Sequence, residues 1–269
     1  MELAGSCPAS MVKTVAINSR GCHTRVSTSP TTVLGCLPAA RLAPYQQRCG
    51  NSDHELLVLY MWNNHLSAAF QEALATTEVI LRCALDKALR SWNVAQPAPQ
   101  GLTAPTSDWL EHPAPPLATI VNSRYRRELM AQATTARAKR AANHPRRHAA
   151  ISHDDLIANT TFGLWKQLLP HRRGNASNIA VTGALWAQAV SAAFPNLRQD
   201  PNGYATSNRV RHLHALRNRV AHMENLLDVD IEARHRDIVQ LLTAIDADLY
   251  QWAKASSRVL TIATMRPHP

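Results

Sequence analysis

Apolar residues recur at three- and four-residue steps between Asp53 and Trp92, which is the spacing of one face of an α-helix. This apolar stripe consists of Leu56, Leu59, Tyr60, Leu66, Phe70, Leu74, Leu81, Leu85 and Leu89. We therefore predict one or two helices here, with the stripe in the core. In the same stretch Glu78 and Arg82 lie one turn apart, a spacing at which many exposed helices carry a simple ion pair.

Similar apolar periodicity, combined with capping and turn residues, predicts four further helices in the second half of the chain. They cover residues 152–170, residues 179–194, a segment from Thr206 or Ser207 to about His222, and residues 231–254. The 269 residues include only nine glycines, and aromatic residues make up 5% of them, which argues against a sandwich, a barrel or a glycine-looped nucleotide fold. The sequence therefore predicts an all-α protein.

Prolines dominate residues 96–116 and exclude a continuous helix there. The apolar residues Leu102, Trp109 and Leu110 lie among these prolines, which favours a packed connection within one domain over a free hinge.

Residues 3–52 contain no acidic residue and many small polar ones. We predict that residues 1–37 form a low-complexity, disordered N-terminal extension; an organelle transit peptide, or translation from Met11, would explain the same composition. The five cysteines form no C-x-x-C pair, which excludes a zinc ribbon and a disulfide scaffold. Because no secretory signal is evident, we expect a cytoplasmic protein with reduced thiols.

The formal net charge is +10, and 24 of the 29 basic residues are arginine, which suits a polyanionic partner. Charge alone does not separate RNA, DNA, an anionic membrane and a merely solvated surface. Residues 118–148 hold eight basic residues and one acidic residue, Glu128, so phosphate contact competes with a solvated face as their interpretation. The candidate RNA-binding residues are Arg124, Arg126, Arg127, Arg137, Lys139 and Arg140. The sequence has no apolar run of the ~20 residues that span a bilayer.

The sequence lacks phosphate-binding loops, nucleophile elbows and the zinc-binding H-E-x-x-H motif. Arginine and histidine remain as side chains that can cleave RNA without a metal. Six pairs have arginine followed, after four to six residues, by histidine, and only those within residues 209–222 lie on one predicted helix. At 100° per residue Arg217 and His222 differ by about 140°, so a joint site needs a second helix or subunit; otherwise both are ordinary surface residues.

Residues 216–224, LRNRVAHME, resemble the R-x(4–6)-H signature of HEPN ribonucleases. Further blocks are similar to the Abi-like (abortive-infection) branch of that superfamily and keep the same order along residues 38–267. These blocks are residues 60–63, 66–70, 78–85, 162–165 and 258–267.

The resemblance implies an all-helical HEPN bundle over residues 38–267, usually dimeric, with a composite RNase site that needs neither metal nor cofactor. Arg217 would stabilise the pentacovalent phosphate, Asn218 would orient the site, and His222 would act as acid or base while the ribose 2′-OH attacks. Glu78 and Arg82 would be auxiliary active-site residues, although a structural ion pair explains them equally well. Cys83 stands where the resemblance leads us to expect asparagine.

The resulting hypothesis is a phage-defence or toxin effector that cleaves RNA as a homodimer, with an antitoxin or another regulatory protein as a further partner. A catalytically inactive HEPN module that binds RNA or regulates a partner is the alternative that the Cys83 departure keeps open. A plain helical interaction protein is the third, and it predicts no salt-dependent binding of RNA.

Overall fold

A computed structural model describes the chain over residues 28–50, 52–98 and 104–267, together with the backbone of residues 14–17 and 23–26. The chain divides into two compact units. The first unit comprises residues 1–70, 219–229 and 258–269, and the second comprises residues 71–218 and 230–257. The predicted all-α class is confirmed, since the described regular elements are helices apart from one short two-stranded ribbon.

The strands are β1 (Thr14–Ile17) and β2 (His23–Val26), which pair antiparallel with Thr14 opposite Val26. The helices are α1 (Pro30–Gly35), α2 (Ala39–Gln46), α3 (Asp53–Val94), α4 (Leu117–Ile120), α5 (Ser123–Ala138), α6 (His153–Ala158), α7 (Phe162–Gln167), α8 (Ala176–Gln188), α9 (Tyr204–Ala221), α10 (Ile231–Ile245), α11 (Leu249–Ser256) and α12 (Val259–Thr264), with a 3₁₀ turn at Val190–Ala193 after α8.

The apolar stripe lies on one uninterrupted helix of 42 residues, α3. The sequence from Asp53 to Val94 contains neither proline nor glycine, so nothing in it breaks the backbone hydrogen-bond ladder. Every residue of the stripe is buried except Tyr60, which is half-buried with its ring edge against Tyr45 at 5.3 Å between centroids. The prediction of a helix with a buried stripe is therefore confirmed, and it is one helix rather than two.

The proline-rich connection is packed, as predicted, over the residues that the structure describes; residues 99–103 lie outside them. Asn93, which is fully buried, donates through its amide nitrogen to the carbonyls of Thr106 and His112, at 2.7 and 2.9 Å. Its amide oxygen accepts from the Ala114 backbone at 2.8 Å. A single side chain therefore supplies the hydrogen bonds that this irregular segment lacks internally.

A buried histidine ties three segments of the second unit together. His153 lies between two carboxylates, with Nδ1 2.7 Å from Asp108 and Nε2 2.7 Å from Asp86. Asp86 also accepts from the Trp109 indole at 2.7 Å. Burial alone would lower the pKa of His153, but the hydrogen bonds and charges of the two aspartates outweigh burial and raise the pKa to about 9. His153 is therefore an imidazolium at neutral pH.

Helix boundaries differ from the predicted ones where short polar segments interrupt the periodicity. Residues 152–170 form α6 and α7 with a break at residues 159–161, and residues 231–254 form most of α10 and α11 with a break at residues 246–248. The predicted cap at Thr206 or Ser207 is wrong. Asp200 caps α9 instead, since its carboxylate accepts from the Ala205 and Thr206 amides at 3.1 and 2.7 Å.

The turn before α9 is closed against a tryptophan. Gly203 has φ +70°, and a Cβ placed there would lie 2.5 Å from the Trp186 ring. The Trp186 indole donates to the Pro201 carbonyl at 3.0 Å. Only glycine satisfies both the backbone angle and the packing at this position.

Regular structure begins before the predicted domain start at residue 38. Helix α1 covers Pro30–Gly35 within the segment predicted to be disordered, and Leu34 on it is buried. Thr31 of α1 donates to the Asp53 carboxylate at 2.6 Å, which links it to the start of α3. Most of the extension, residues 1–13, 18–22 and 27, lies outside the described residues.

Candidate functional site

Glu78 lies between two arginines in the second unit. Its Oε1 is 3.2 Å from Arg82 Nη2 on the same helix, α3, and its Oε2 is 3.7 Å from Arg217 Nε on α9. The Glu78 and Arg82 side chains are 13% and 19% exposed, whereas that of Arg217 is 41% exposed. One carboxylate thus faces two guanidinium groups, and the more exposed one belongs to the signature segment.

The apolar faces of the two helices set this geometry. Leu81 and Leu85 on α3 are fully buried, as are Val210 and Leu213 on α9. Because residues three and four apart share a helix face, burial of these side chains leaves Glu78 and Arg82 in neighbouring rows on α3. Arg82 Nε is buried without a hydrogen-bond partner among the described residues. The cluster therefore keeps an excess positive charge.

His214 belongs to the same charged neighbourhood, although its position beside the signature favours an ordinary surface histidine over one that contacts RNA. Its ring edge packs on Phe162, with 5.7 Å between centroids. Burial lowers the pKa of His214, and the charges of Lys166 and Arg217 lower it further against the opposing charge of Glu78. The signal available in the sequence was its spacing, since His214 precedes Arg217 by three residues on one helix.

Asn218 follows Arg217 on α9 and is half-buried. The described part of the chain supplies it with no side-chain hydrogen bond, so the structure does not bring Asn218 to a defined partner.

His222 belongs to the first unit and lies directly after the last residue of α9. The helix ends in a Schellman motif: the Glu224 amide donates to the Arg219 carbonyl at 2.8 Å, and the Met223 amide donates to Val220 at 3.1 Å. His222 is the C-cap residue of this motif, and its side chain is exposed. No hydrogen bond or ion pair from the described residues engages its imidazole.

Met223 occupies the left-handed position of the motif, with φ +56°, and the residue is 67% exposed. Glycine is the usual residue there because a Cβ is disfavoured by about 1–2 kcal/mol. The Arg41 guanidinium donates to the Met223 carbonyl, and the Arg219 guanidinium donates to the Asn225 carbonyl. The backbone that presents His222 is therefore held by two arginine side chains of the same unit.

Two of the other blocks that carry the resemblance meet this segment. Asn63, which is 2% exposed, accepts from the Leu226 amide at 2.7 Å, and Trp62 donates from its indole to the Ile262 carbonyl at 2.8 Å. The Arg266 guanidinium lies 5.1 Å from the centre of the Trp62 ring and donates to the Leu227 carbonyl at 3.3 Å. Residues 60–63 and 258–267 therefore support the loop that follows His222.

The left-handed residue gives a direct test of how this loop is stabilised. Replacing Met223 with glycine is expected to increase the free energy of unfolding by about 0.5–1 kcal/mol, because glycine adopts the required φ without a Cβ penalty. The measurement is urea unfolding followed by circular dichroism. Met223→Ala removes the same exposed side chain but keeps the Cβ, so it should give no gain; equal stabilisation by both variants would contradict the assignment.

Residues 118–148, the basic segment, contain arginines that contact the rest of the fold and others that are exposed. Arg126 and Arg137 donate to the carbonyls of Glu111 and Ala149, and Arg140 lies 2.5 Å from the Asp155 carboxylate. Arg124 forms an exposed ion pair with Glu128 at 2.9 Å. Two of the six candidate RNA-binding residues, Arg127 and Lys139, are exposed without such a partner among the described residues.

Asp155 lies outside this segment and is the carboxylate partner of two of its arginines. It accepts from the Ser152 backbone at 2.9 Å and from Arg140 and Arg146 at 2.5 and 2.7 Å. These interactions hold the pKa of Asp155 well below its ordinary value, against the opposing effect of burial. Arg140 and Arg146 therefore share one negative charge within the fold, which weakens the interpretation of this stretch as an RNA-binding surface.

Cys83 is exposed and lines an apolar groove of about 820 Å³ in the second unit, together with Val79 and Trp92. The described structure gives its thiol no hydrogen bond to Glu78, Arg82 or Arg217. Cys36 and Cys49 are also free thiols, and Cys7 and Cys22 lie outside the described residues.

Comparison with protein-family models, with curated proteins and with solved structures finds no match. In the described part of the chain, no helix combines the length and the apolar character that crossing a bilayer requires. Nor do the described residues place three or more histidine, cysteine, aspartate or glutamate side chains where they could hold a metal ion together.

Proposed function

We propose that the protein is a metal-independent endoribonuclease of the HEPN type. The observation that carries this proposal is the Glu78 carboxylate, which lies within ion-pair distance of both Arg82 and Arg217. Glu78 and Arg82 come from one block of the resemblance and Arg217 from another, and an accidental likeness would not require the two blocks to meet. A fixed positive cluster with one exposed guanidinium is also what a crowded phosphate needs as its charge develops.

Arg217 holds the non-bridging oxygens of the scissile phosphate, since its guanidinium forks onto phosphate and is partly exposed. Glu78 orients Arg217, and Arg82 balances the charge of Glu78. Asn218 positions the substrate. The 2′-OH gives up its proton to a base as its oxygen attacks phosphorus, the bond from phosphorus to the 5′-oxygen breaks, and the leaving oxygen takes up a proton from an acid. His222, which is exposed at the end of α9, transfers a proton in this reaction.

The proposed active form is a homodimer with a composite site. Arg217 and His222 are five residues apart, and this spacing directs their side chains about 140° apart on a helix. If two copies face each other through residues 217–222, the shared site contains two arginines and two histidines. One imidazole then acts as the base and the other as the acid. In the cell such an enzyme would act in the cytoplasm as a phage-defence or toxin effector, with an antitoxin or regulatory protein as its restraint.

The chemistry is tested with the purified protein, EDTA and two short oligonucleotides that differ by one 2′-oxygen. We expect the all-RNA strand to be cleaved to a 2′,3′-cyclic phosphate and a 5′-hydroxyl, while a strand with 2′-deoxyribose at the cleaved position stays intact there. Mass spectrometry identifies the ends. Equal cleavage of both strands, or complete loss of cleavage in EDTA, would contradict the mechanism. RNA binding without cleavage would favour the inactive binding module.

A further inference from the structure

A basic pocket outside the proposed catalytic cluster lies in the second unit. It has a volume of about 330 Å³ and forms between the loop after α7 and the first two turns of α9. Its cationic side chains are Arg172, Arg173 and Arg211, and His171 lies beside them. No carboxylate lines it in the part of the chain that the structure describes.

Neutral groups hold two of these guanidinium groups in place. Arg172 lies over the Tyr204 ring, 4.6 Å from its centre, and Arg211 Nη2 donates to the Asn208 amide oxygen at 3.0 Å. Because neither contact supplies a negative charge, both arginines keep their full charge for a ligand. In contrast, Arg140 and Arg146 share the Asp155 carboxylate. The pocket therefore holds two oriented guanidinium groups whose charge no carboxylate compensates among the described residues.

The remaining lining suits an anion. Burial and the charge of Lys166 lower the pKa of His171, and the charge of a bound anion would act in the opposite direction. Asn208 has its amide NH₂ group free to donate once its oxygen has accepted from Arg211. The Ser207 hydroxyl also lines the pocket. Phosphate oxygens accept several such hydrogen bonds at once, and guanidinium forks match their geometry.

The pocket and the signature segment share one helix. Arg211 and Asn218 are seven residues apart, which places both on the same face of α9 about 10 Å apart along its axis. We propose that this pocket binds a backbone phosphate of the RNA strand, next to the nucleotide that is cleaved. The inference rests on the proposed function, because it assumes that the RNA strand reaches Asn218. In this arrangement the pocket positions the RNA strand for cleavage.

The test measures binding of a fluorescein-labelled ten-nucleotide RNA by anisotropy at several salt concentrations, with His222→Ala as the background so that the strand stays intact. The pocket variant replaces Arg172 and Arg211 with glutamine. A matched control also introduces glutamine, at Arg198 and Arg236, and so loses the same positive charge. These are two exposed arginines of the same unit. We expect the pocket variant to bind about tenfold more weakly or worse, with a salt slope reduced by about one, and the control to change less than about threefold.

If the two double variants weaken RNA binding equally, the proposal that the pocket binds RNA is wrong, because the loss of net charge alone would then explain the weaker binding. Isothermal titration with inorganic phosphate provides the second measurement. If the pocket variant loses phosphate binding but keeps RNA binding, the pocket takes a small free anion and the RNA assignment is wrong. Failure of the wild-type protein to cleave RNA, with the binding contrast intact, would instead overturn the proposed catalysis and leave the pocket standing.

Discussion

Replacing His222 with alanine is expected to reduce RNA cleavage by about 10²–10⁴-fold, the range that a general acid or base contributes. Replacing Arg217 with alanine is expected to reduce it by about 10²–10³-fold, because the phosphate loses its principal charge partner. His222 is exposed and engages no described neighbour, so its removal should leave the circular dichroism spectrum and the unfolding midpoint unchanged. The loss should therefore appear in the rate alone.

The measurement is the initial rate of cleavage in EDTA under single-turnover conditions. His148→Ala and Arg198→Ala are matched controls, since both residues are exposed and lie outside the proposed site. Arg217→Lys keeps the charge but not the fork, so it should recover only part of the rate. If the His222 and Arg217 variants cleave as fast as the wild type, the catalytic assignment is wrong and the activity belongs elsewhere.

Replacing His153 with glutamine is expected to destabilise the protein by about 3 kcal/mol at pH 6, because two half-buried carboxylates then lose the cation between them. His153 is only 8% exposed, and Asp86 and Asp108 each lie 2.7 Å from its ring. Glutamine can donate to one carboxylate but carries no charge. The two aspartates would then repel each other in a region that water screens poorly.

The same residue predicts how stability depends on pH. The pKa of His153 is raised by its partners from 6.5 to about 9. The folded state therefore holds a proton that the unfolded state releases above pH 6.5. This contribution is complete below pH 6.5 and is lost as the pH rises through 9, on the order of 3 kcal/mol in total.

Urea unfolding at pH 6, 8 and 9.5 measures this effect, with His148→Gln as the control for an exposed histidine five residues away. The difference between wild type and His153→Gln should be largest at pH 6 and shrink toward pH 9.5. The control should follow the wild type at every pH. A constant difference across this range would mean that His153 is neutral in the folded protein.

The sequence supported the helical class and the long apolar stripe well, because periodicity over many turns averages out local exceptions. The sequence pattern did not predict the helix breaks at residues 159–161 and 246–248, because the apolar periodicity continues on both sides of them. The capping residue of α9 was missed for a related reason. Asp200 precedes the helix by four residues, and its side chain reaches the amides only because the turn folds back.

The candidate site was only partly accessible to sequence reasoning. The pairing of Glu78 with Arg82 follows from their spacing, but the approach of Arg217 to Glu78 depends on how α9 packs, which no local pattern encodes. The sequence favours an ordinary surface histidine at His214 and gives no sign of the basic pocket around Arg172, because the surroundings of both depend on residues distant in the chain. Conversely, the sequence made the arginines of the basic segment look free to bind phosphate, because the carboxylate that contacts two of them, Asp155, lies outside the segment.

The turn before α9 determines in which direction each side chain of that helix points. Surface turns ordinarily accept an added residue at little cost. Here Gly203 lies against the Trp186 ring, and Asp200 fixes the first helical amides, so the starting angle of α9 is locked to the second unit. One residue added after Gly203 would turn each later side chain by about 100°. Arg211 and Asn218 would then both point in new directions. An insertion far from either residue would therefore disrupt the contacts of both, as substituting each of them would.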